Sequence, residues 1–231
     1  MISLLAATIY TAAIGIQTPK YERRANHDPD GTGMFYTGRE IAQFMSHEGA
    51  TWLDRPERDA EEAPRRLLAT LGLRPGMVVA DVGAGSGYLT FPMSRAVGKT
   101  GKVLAIDIQA EMLDIIRARA KKGGVGNVVT ILGTEDDSKV PAGSTDLMLL
   151  VDVYHELGRP YEMTRNMIRG LKKGGSLVLV EYRKEDPRVP IKELHKMSQV
   201  QVKQEMAVHP LEFVRTVSTL PRQHVLIFRK R

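Results

Sequence analysis

The chain predicts an α/β fold with a doubly wound, mostly parallel seven-stranded sheet that finishes in a C-terminal hairpin. Three observations carry this reading. Seven apolar runs recur along the 231 residues: Val78–Asp81, Lys102–Asp107, Val128–Leu132, Thr145–Val151, Ser176–Tyr182, Leu211–Ser218 and His224–Lys230. Stretches with helical spacing separate the first five, as expected when crossovers cover both faces of a parallel sheet. The last two flank Leu220-Pro221-Arg222 and read as a hairpin.

The elements follow in order. Residues 1–16 are apolar and uncharged, and they read as a signal peptide or an N-terminal apolar helix. The stretch is too short to span a bilayer comfortably, and no Lys or Arg precedes it. Location stays open between the cytoplasm and an exported or membrane-tethered state. Residues 17–55 read as a linker and lid segment: Pro19, Pro29, Gly31 and Gly33 punctuate 17–37, and 38–44 is helix-compatible. The main domain spans 56–231. Its first helix is expected over Pro56–Leu71, with Pro56 suiting the first turn and acids in the N-terminal half. Further helices are expected over Tyr88–Val97, Ala110–Lys122 (closed by Gly123-Gly124), Pro160–Leu171 and Ile191–Met206.

The first strand carries the most information. It ends at Asp81-Val82 and runs into Gly83-Ala84-Gly85-Ser86-Gly87. Glycines there let backbone N–H groups approach a ligand that side chains would obstruct. A dinucleotide fingerprint needs glycine at position 88, where this chain has Tyr88. The second strand closes on Asp107, twenty residues past Gly87, where folds of this kind place a carboxylate for ribose hydroxyls. The third leads into Gly133-Thr134-Glu135-Asp136, and the fourth into Asp152-Val153-Tyr154-His155. Leu171-Lys172-Lys173-Gly174-Gly175 precedes the fifth.

Over roughly residues 60–231 this series resembles the class I S-adenosylmethionine-dependent methyltransferases. Within them it is most similar to the ubiquinone/menaquinone-biosynthesis-like group. The resemblance implies a Rossmann-like methyltransferase fold with its last strand inserted antiparallel. S-adenosylmethionine is the implied cofactor, held by Asp81, Gly83, Gly85, Gly87, Asp107, Glu135, Asp136 and Asp152. Asp107 would take the ribose, Glu135 (through its backbone) and Asp136 the adenine, and Asp81 the loop or the amino group. Asp81 and Asp107 equally suit helix caps.

On the acceptor side, His155 and Tyr154 are the candidate catalytic residues. An imidazole near its ordinary pKa suits deprotonation of a hydroxyl or ring nitrogen, and a hydrogen-bonded corner histidine is the structural alternative. Glu181 and Tyr182 lie near the same side by topology. Arg39, His47 and Trp52 belong to the lid segment, with Trp52 reading as core. No spacing of His, Asp and Glu indicates a metal site, since His155-Glu156 lacks a second histidine four residues on. The segment is also not the Asn-Pro-Pro-Tyr type of the base amino-methylating enzymes.

Composition narrows the chemistry. The absence of cysteine excludes disulfides, thiolate metal sites and cysteine nucleophiles, and with them cytosine carbon-5 and thiol-dependent arsenic methylation. Net charge is +6, with 11 Lys and Arg against 5 Asp and Glu from Arg183 on, and 22 against 22 before it. A small-molecule methyl acceptor is the favoured partner. A protein- or RNA-directed enzyme docking through the basic C-terminal region, or a cofactor-binding module without transfer, are the alternatives.

Overall fold

A computed structural model describes residues 21–231; the apolar stretch 1–16 and the signal-peptide reading attached to it lie outside the described residues. Two sheets form. The smaller is antiparallel: β1 (Tyr21–Arg23), β2 (Gly31–Tyr36) and β3 (Arg39–Ala42). Here, within the described residues, the expectation of a linker up to residue 37 and a helix over 38–44 is corrected. Thr37 and Gly38 both adopt positive φ (49° and 91°), and Tyr36 pairs with Arg39 across them. A two-residue loop of that handedness matches strand twist and closes a hairpin.

Between the sheets the chain makes α1 (Ala50–Leu53), α2 (Arg58–Glu62) and α3 (Pro64–Thr70). The single helix expected over Pro56–Leu71 is thus two. Ala63 sits in the left-handed region (φ 51°) because Pro64 disfavours a helical residue before it, and the chain restarts with proline in the first turn.

The large sheet contains β4 (Val78–Val82), β5 (Lys102–Asp107), β6 (Val128–Leu132), β7 (Thr145–Val151), β8 (Leu171–Arg183), β10 (Leu211–Val217) and β11 (Gln223–Lys230). They lie in the order β10-β11-β8-β7-β4-β5-β6, with the two-residue β9 (Lys196–Met197) added beside β8. Strands β4 to β8 pair in parallel, and β11 inserts antiparallel between β8 and β10. The Gly174-Gly175 turn is absorbed into the start of β8 as an irregularity in its pairing with β7.

Alternation along the strands builds two cores. Ala80, Val82, Leu104, Ile106, Met148 and Leu150 face α6 (Pro160–Gly170) and α7 (Gln199–Met206). Their odd-numbered neighbours Val79, Val103, Leu147 and Leu149 face α3 and α4 (Thr90–Val97). Successive strand side chains point to opposite faces, so a strand covered on both sides reads as a continuous apolar run. Helix α5 (Ala110–Gly123) packs Leu113 and Ile116 against Ala84 and Ala105.

The helix expected over 191–206 is also corrected. Glu193–His195 form a 3-10 turn, β9 follows, and α7 starts only where the Ser198 hydroxyl caps the Gln201 N–H (3.1 Å). Among the described residues no helix is long and apolar enough to cross a membrane.

Candidate active site

The parallel strands all end at one edge, where a cavity of about 590 Å³ opens. Its wall takes the glycine loop from β4, Asp107 and Gln109 from the end of β5, and Asp152, Val153, His155, Glu156 and Leu157 from the end of β7. Phe44, Met45, Trp52 and Leu53 contribute from the N-terminal segment. Crevices beyond the carboxyl ends of an open α/β sheet are where such folds bind ligands.

The loop is held tightly. The Gly83 and Ala84 N–H groups both donate to the Ile106 carbonyl, at 2.8 and 2.9 Å. A side chain at Gly83 would place its Cβ 2.5 Å from Val153, and one at Gly85 would place it 2.6 Å from Leu53. Both glycines have positive φ (71° and 51°), a region that L side chains rarely adopt. Gly87 does not line the cavity; it faces Ile116 and Phe91 and serves packing on α5.

Asp107 is the organising group. One carboxylate oxygen accepts the Gly85 N–H (2.9 Å) and the other the Gln109 N–H (3.0 Å). Burial pushes its pKa up, and these N–H donors oppose that shift. Asp81 lies buried under the loop, accepts the Thr90 hydroxyl at 2.5 Å, and is pushed up to about 6, chiefly by burial.

The expected adenine corner is arranged differently. Gly133 and Thr134 line the cavity, whereas Glu135 and Asp136 do not. Asp136 is exposed and accepts from the Thr134 hydroxyl (2.7 Å), and Glu135 lies against Gly158. Gln109, not singled out in the sequence, does reach across the site. Its side chain donates to the Met45 carbonyl (3.0 Å) and accepts the His47 N–H (2.8 Å), tying the N-terminal segment to the end of β5. Trp52, expected in the core, is 46% exposed, carries the Arg55 guanidinium 3.7 Å above its ring, and lines the cavity.

At the β7 end, Asp152 has φ 54°. Its Oδ2 accepts from the Gln223 amide (2.6 Å), while its buried Oδ1 has no partner among the described residues. Burial, then the neighbouring Glu62 and Glu181, push this carboxyl well above the usual range. Tyr154 is corrected as a catalytic candidate: it is fully buried in the α6/α7 core and absent from the cavity wall, because the 3-10 turn Tyr154–Glu156 points it inward.

His155 does face the cavity. Its Nδ1 lies 2.6 Å from Glu181 Oε2, and Arg39, ion-paired with Glu205, donates to its carbonyl (3.1 Å). Burial alone would lower its pKa, but the carboxylates of Glu181 and Glu156 outweigh it and push it up to about 10. A charged imidazole has no lone pair to act as a general base. Tyr182 closes this end, donating to Glu62 (2.9 Å).

A methyltransferase domain family matches residues 73–218, a span that includes the glycine loop, Asp107 and the β7 end of the cavity. The chain belongs to this family. Ubiquinone/menaquinone biosynthesis C-methyltransferases are among its relatives. The one from Shewanella pealeana is 34% identical over 121 residues, covering 52% of this chain and 48% of that enzyme. The one from Azotobacter vinelandii is 35% identical over 121 residues with the same coverage. This chain therefore spans about half the length of the curated relatives it matches.

A solved S-adenosylmethionine-dependent methyltransferase from Aquifex aeolicus is 26% identical and superimposes with a TM-score of 0.77, over 81% of this chain and 100% of that one. The [4+2]-cyclase SpnF (17% identical, TM-score 0.63, 73% of this chain and 80% of that one) shares the fold alone. The family's fold is the Rossmann-like methyltransferase fold, and S-adenosylmethionine is its cofactor. The residues here fit that cofactor. A side-chain-free loop borders a cavity of the size used for small molecules, about 300–1,000 Å³. Each Asp107 oxygen keeps a lone pair after its backbone bond, and the buried Asp152 Oδ1 lacks a partner.

Proposed function

We propose that this protein transfers a methyl group from S-adenosylmethionine to a carbon atom of a small, largely apolar acceptor. The observation that carries the proposal is the Asp107–Gly85 bond inside the cavity, which holds a bare loop and a carboxylate ready for a nucleoside. The cofactor supplies a methyl group already on a good leaving group, so the protein's task is alignment and exclusion of water. Asp107 and the loop would hold the nucleoside. Asp81 and the unpartnered Asp152 oxygen would face its cationic end. Phe44, Trp52 and Leu53, clamped through Gln109, would cover the acceptor. The C-methyl reading draws on the relatives' names.

The distribution of C-terminal cations also supports a small acceptor. Arg183 is spent on the backbone carbonyls of Ser218 and Pro221, Arg188 on Asp186, Lys196 on Glu193, Arg222 on Glu61 and Lys230 on the Leu171 carbonyl. Charges committed within the fold make a weaker docking surface for an anionic macromolecule. Incubation with methyl-labelled cofactor and fractionated extract tests the reading. Label in the small-molecule fraction is expected, and label in RNA or protein would overturn it.

A further inference from the structure

His195 is forty residues beyond His155, yet the two rings meet edge to face at the cavity wall, with centroids 5.0 Å apart. His155 Nε2 and His195 Nδ1 are separated by 3.1 Å. Glu156 Oε1 stands 3.3 Å from that Nδ1 and 3.7 Å from that Nε2. The three atoms form a compact triangle. An ion bonded at about 2.0–2.1 Å in tetrahedral geometry sets its donors about 3.3–3.4 Å apart, so the triangle fits with almost no rearrangement.

The outer contacts match as well. Histidines that bind a metal through one nitrogen direct the other to a carboxylate or carbonyl, which fixes the tautomer. His155 Nδ1 meets Glu181 at 2.6 Å, while His195 Nε2 stands 3.3 Å from Asp30 Oδ2, within ion-pair reach but without hydrogen-bond geometry. An ion entering there would displace the His155 proton, and both inner nitrogens would then turn lone pairs to the point that Glu156 also addresses. Arg39 is paired with Glu205, and Lys192 with Asp30.

We propose that His155, Glu156 and His195 bind one divalent transition-metal ion of the zinc type. Its remaining coordination position opens on the cavity, where an oxygen of the acceptor would complete the shell. The role for that oxygen rests on the methyl-transfer reading; the binding of the ion does not. The site escapes sequence spacing because β7 and the turn before β9 bring its ligands together only in the fold.

Metal-stripped full-length protein titrated with Zn²⁺ against a chromophoric chelator tests the site. One ion per chain is expected, and Co²⁺ in its place should give the visible bands of a four- or five-coordinate centre. His195→Gln should weaken binding on the order of 100-fold or more, and Asp30→Asn roughly 10–100-fold as an outer-contact change. His47→Gln, outside the cluster, should bind like the wild type. Circular dichroism of each variant verifies folding, and Asp30→Asn provides the test if His195→Gln does not fold. Zn²⁺ affinity equal in the wild type and the folded variants, or no ion bound, overturns the site. Titration of S-adenosylmethionine into the same samples separates the two readings: cofactor binding without zinc binding sinks only the metal site, and zinc binding without cofactor binding sinks only the methyl-transfer reading.

Discussion

The two ends of the cavity are built in opposite ways. At the glycine-loop end, Asp81, Gly83, Gly85 and Asp107 come from adjacent parallel strands and lie within 27 positions of one another, and backbone N–H groups supply the contacts that tie the loop to Asp107 and β5. At the His155 end, side chains hold side chains, and they come from β2's approach (Asp30), the β7 turn (His155, Glu156), β8 (Glu181), the turn before β9 (His195) and β11 (Gln223). A backbone-built cradle tolerates change at few positions and serves a constant ligand. A side-chain network is open to change and suits the part of the reaction that differs between family members. On the proposed methyl-transfer reading, this contrast places cofactor affinity chiefly at the first end and turnover at the second.

The largest effect that can break this division is expected from Gly85→Asp. The new Cβ would meet Leu53 at 2.6 Å in a backbone region that excludes most side chains, and the carboxylate would enter the cavity. Calorimetry should show cofactor binding abolished, and unchanged affinity would remove the loop from the cofactor site.

Asp107→Ala should follow, weakening cofactor binding by about 1.5–3 kcal/mol through lost charged hydrogen bonds and a loosened Gly85. A loss of only a few tenths would place the nucleoside elsewhere. His155→Gln should divide the other way, with turnover down at least about tenfold and cofactor affinity within about twofold. Equal losses in both would erase the distinction between the two ends.

A pH effect sharpens the comparison. The folded pKa of Asp81, about 6, lies above the unfolded value of about 3.9, so the fold favours the neutral acid. That stabilisation is complete below about pH 4 and is lost as pH rises through 6. Relative to wild type, Asp81→Asn should therefore gain on the order of 2 kcal/mol of stability between pH 4 and pH 7.5, read from urea unfolding. A difference that stays flat across this range would show that Asp81 is not buried as described. Trp52→Ala should be the mildest, costing about 0.5 kcal/mol or less in stability because the ring is half-exposed, while raising KM for the acceptor. An unchanged KM would detach the N-terminal segment from acceptor binding.

The same contrast explains what the sequence makes legible. The seven apolar runs and their doubly wound pattern follow from local periodicity, whereas the antiparallel last strand and the role of Asp107 are expected from the family resemblance. The β2–β3 hairpin was hidden because Thr37, not the usual glycine or asparagine, takes a positive φ in its turn. The split between α2 and α3 had a signal in Ala63-Pro64, outweighed by the helical charge pattern around it. Gln109, His195 and Asp30 carry no local signature, since their roles depend on partners 40 to 165 positions away. Tyr154 and His155 are neighbours in sequence, and only the 3-10 turn decides that one faces the core and the other the cavity.

Titration of S-adenosylmethionine into wild-type protein and Asp107→Ala, followed by calorimetry, tests the central claim most directly. One cofactor per chain in the wild type, with affinity falling at least tenfold in a variant that remains folded, is the predicted result. No binding to the wild type, or equal affinity in the two proteins, would contradict the account.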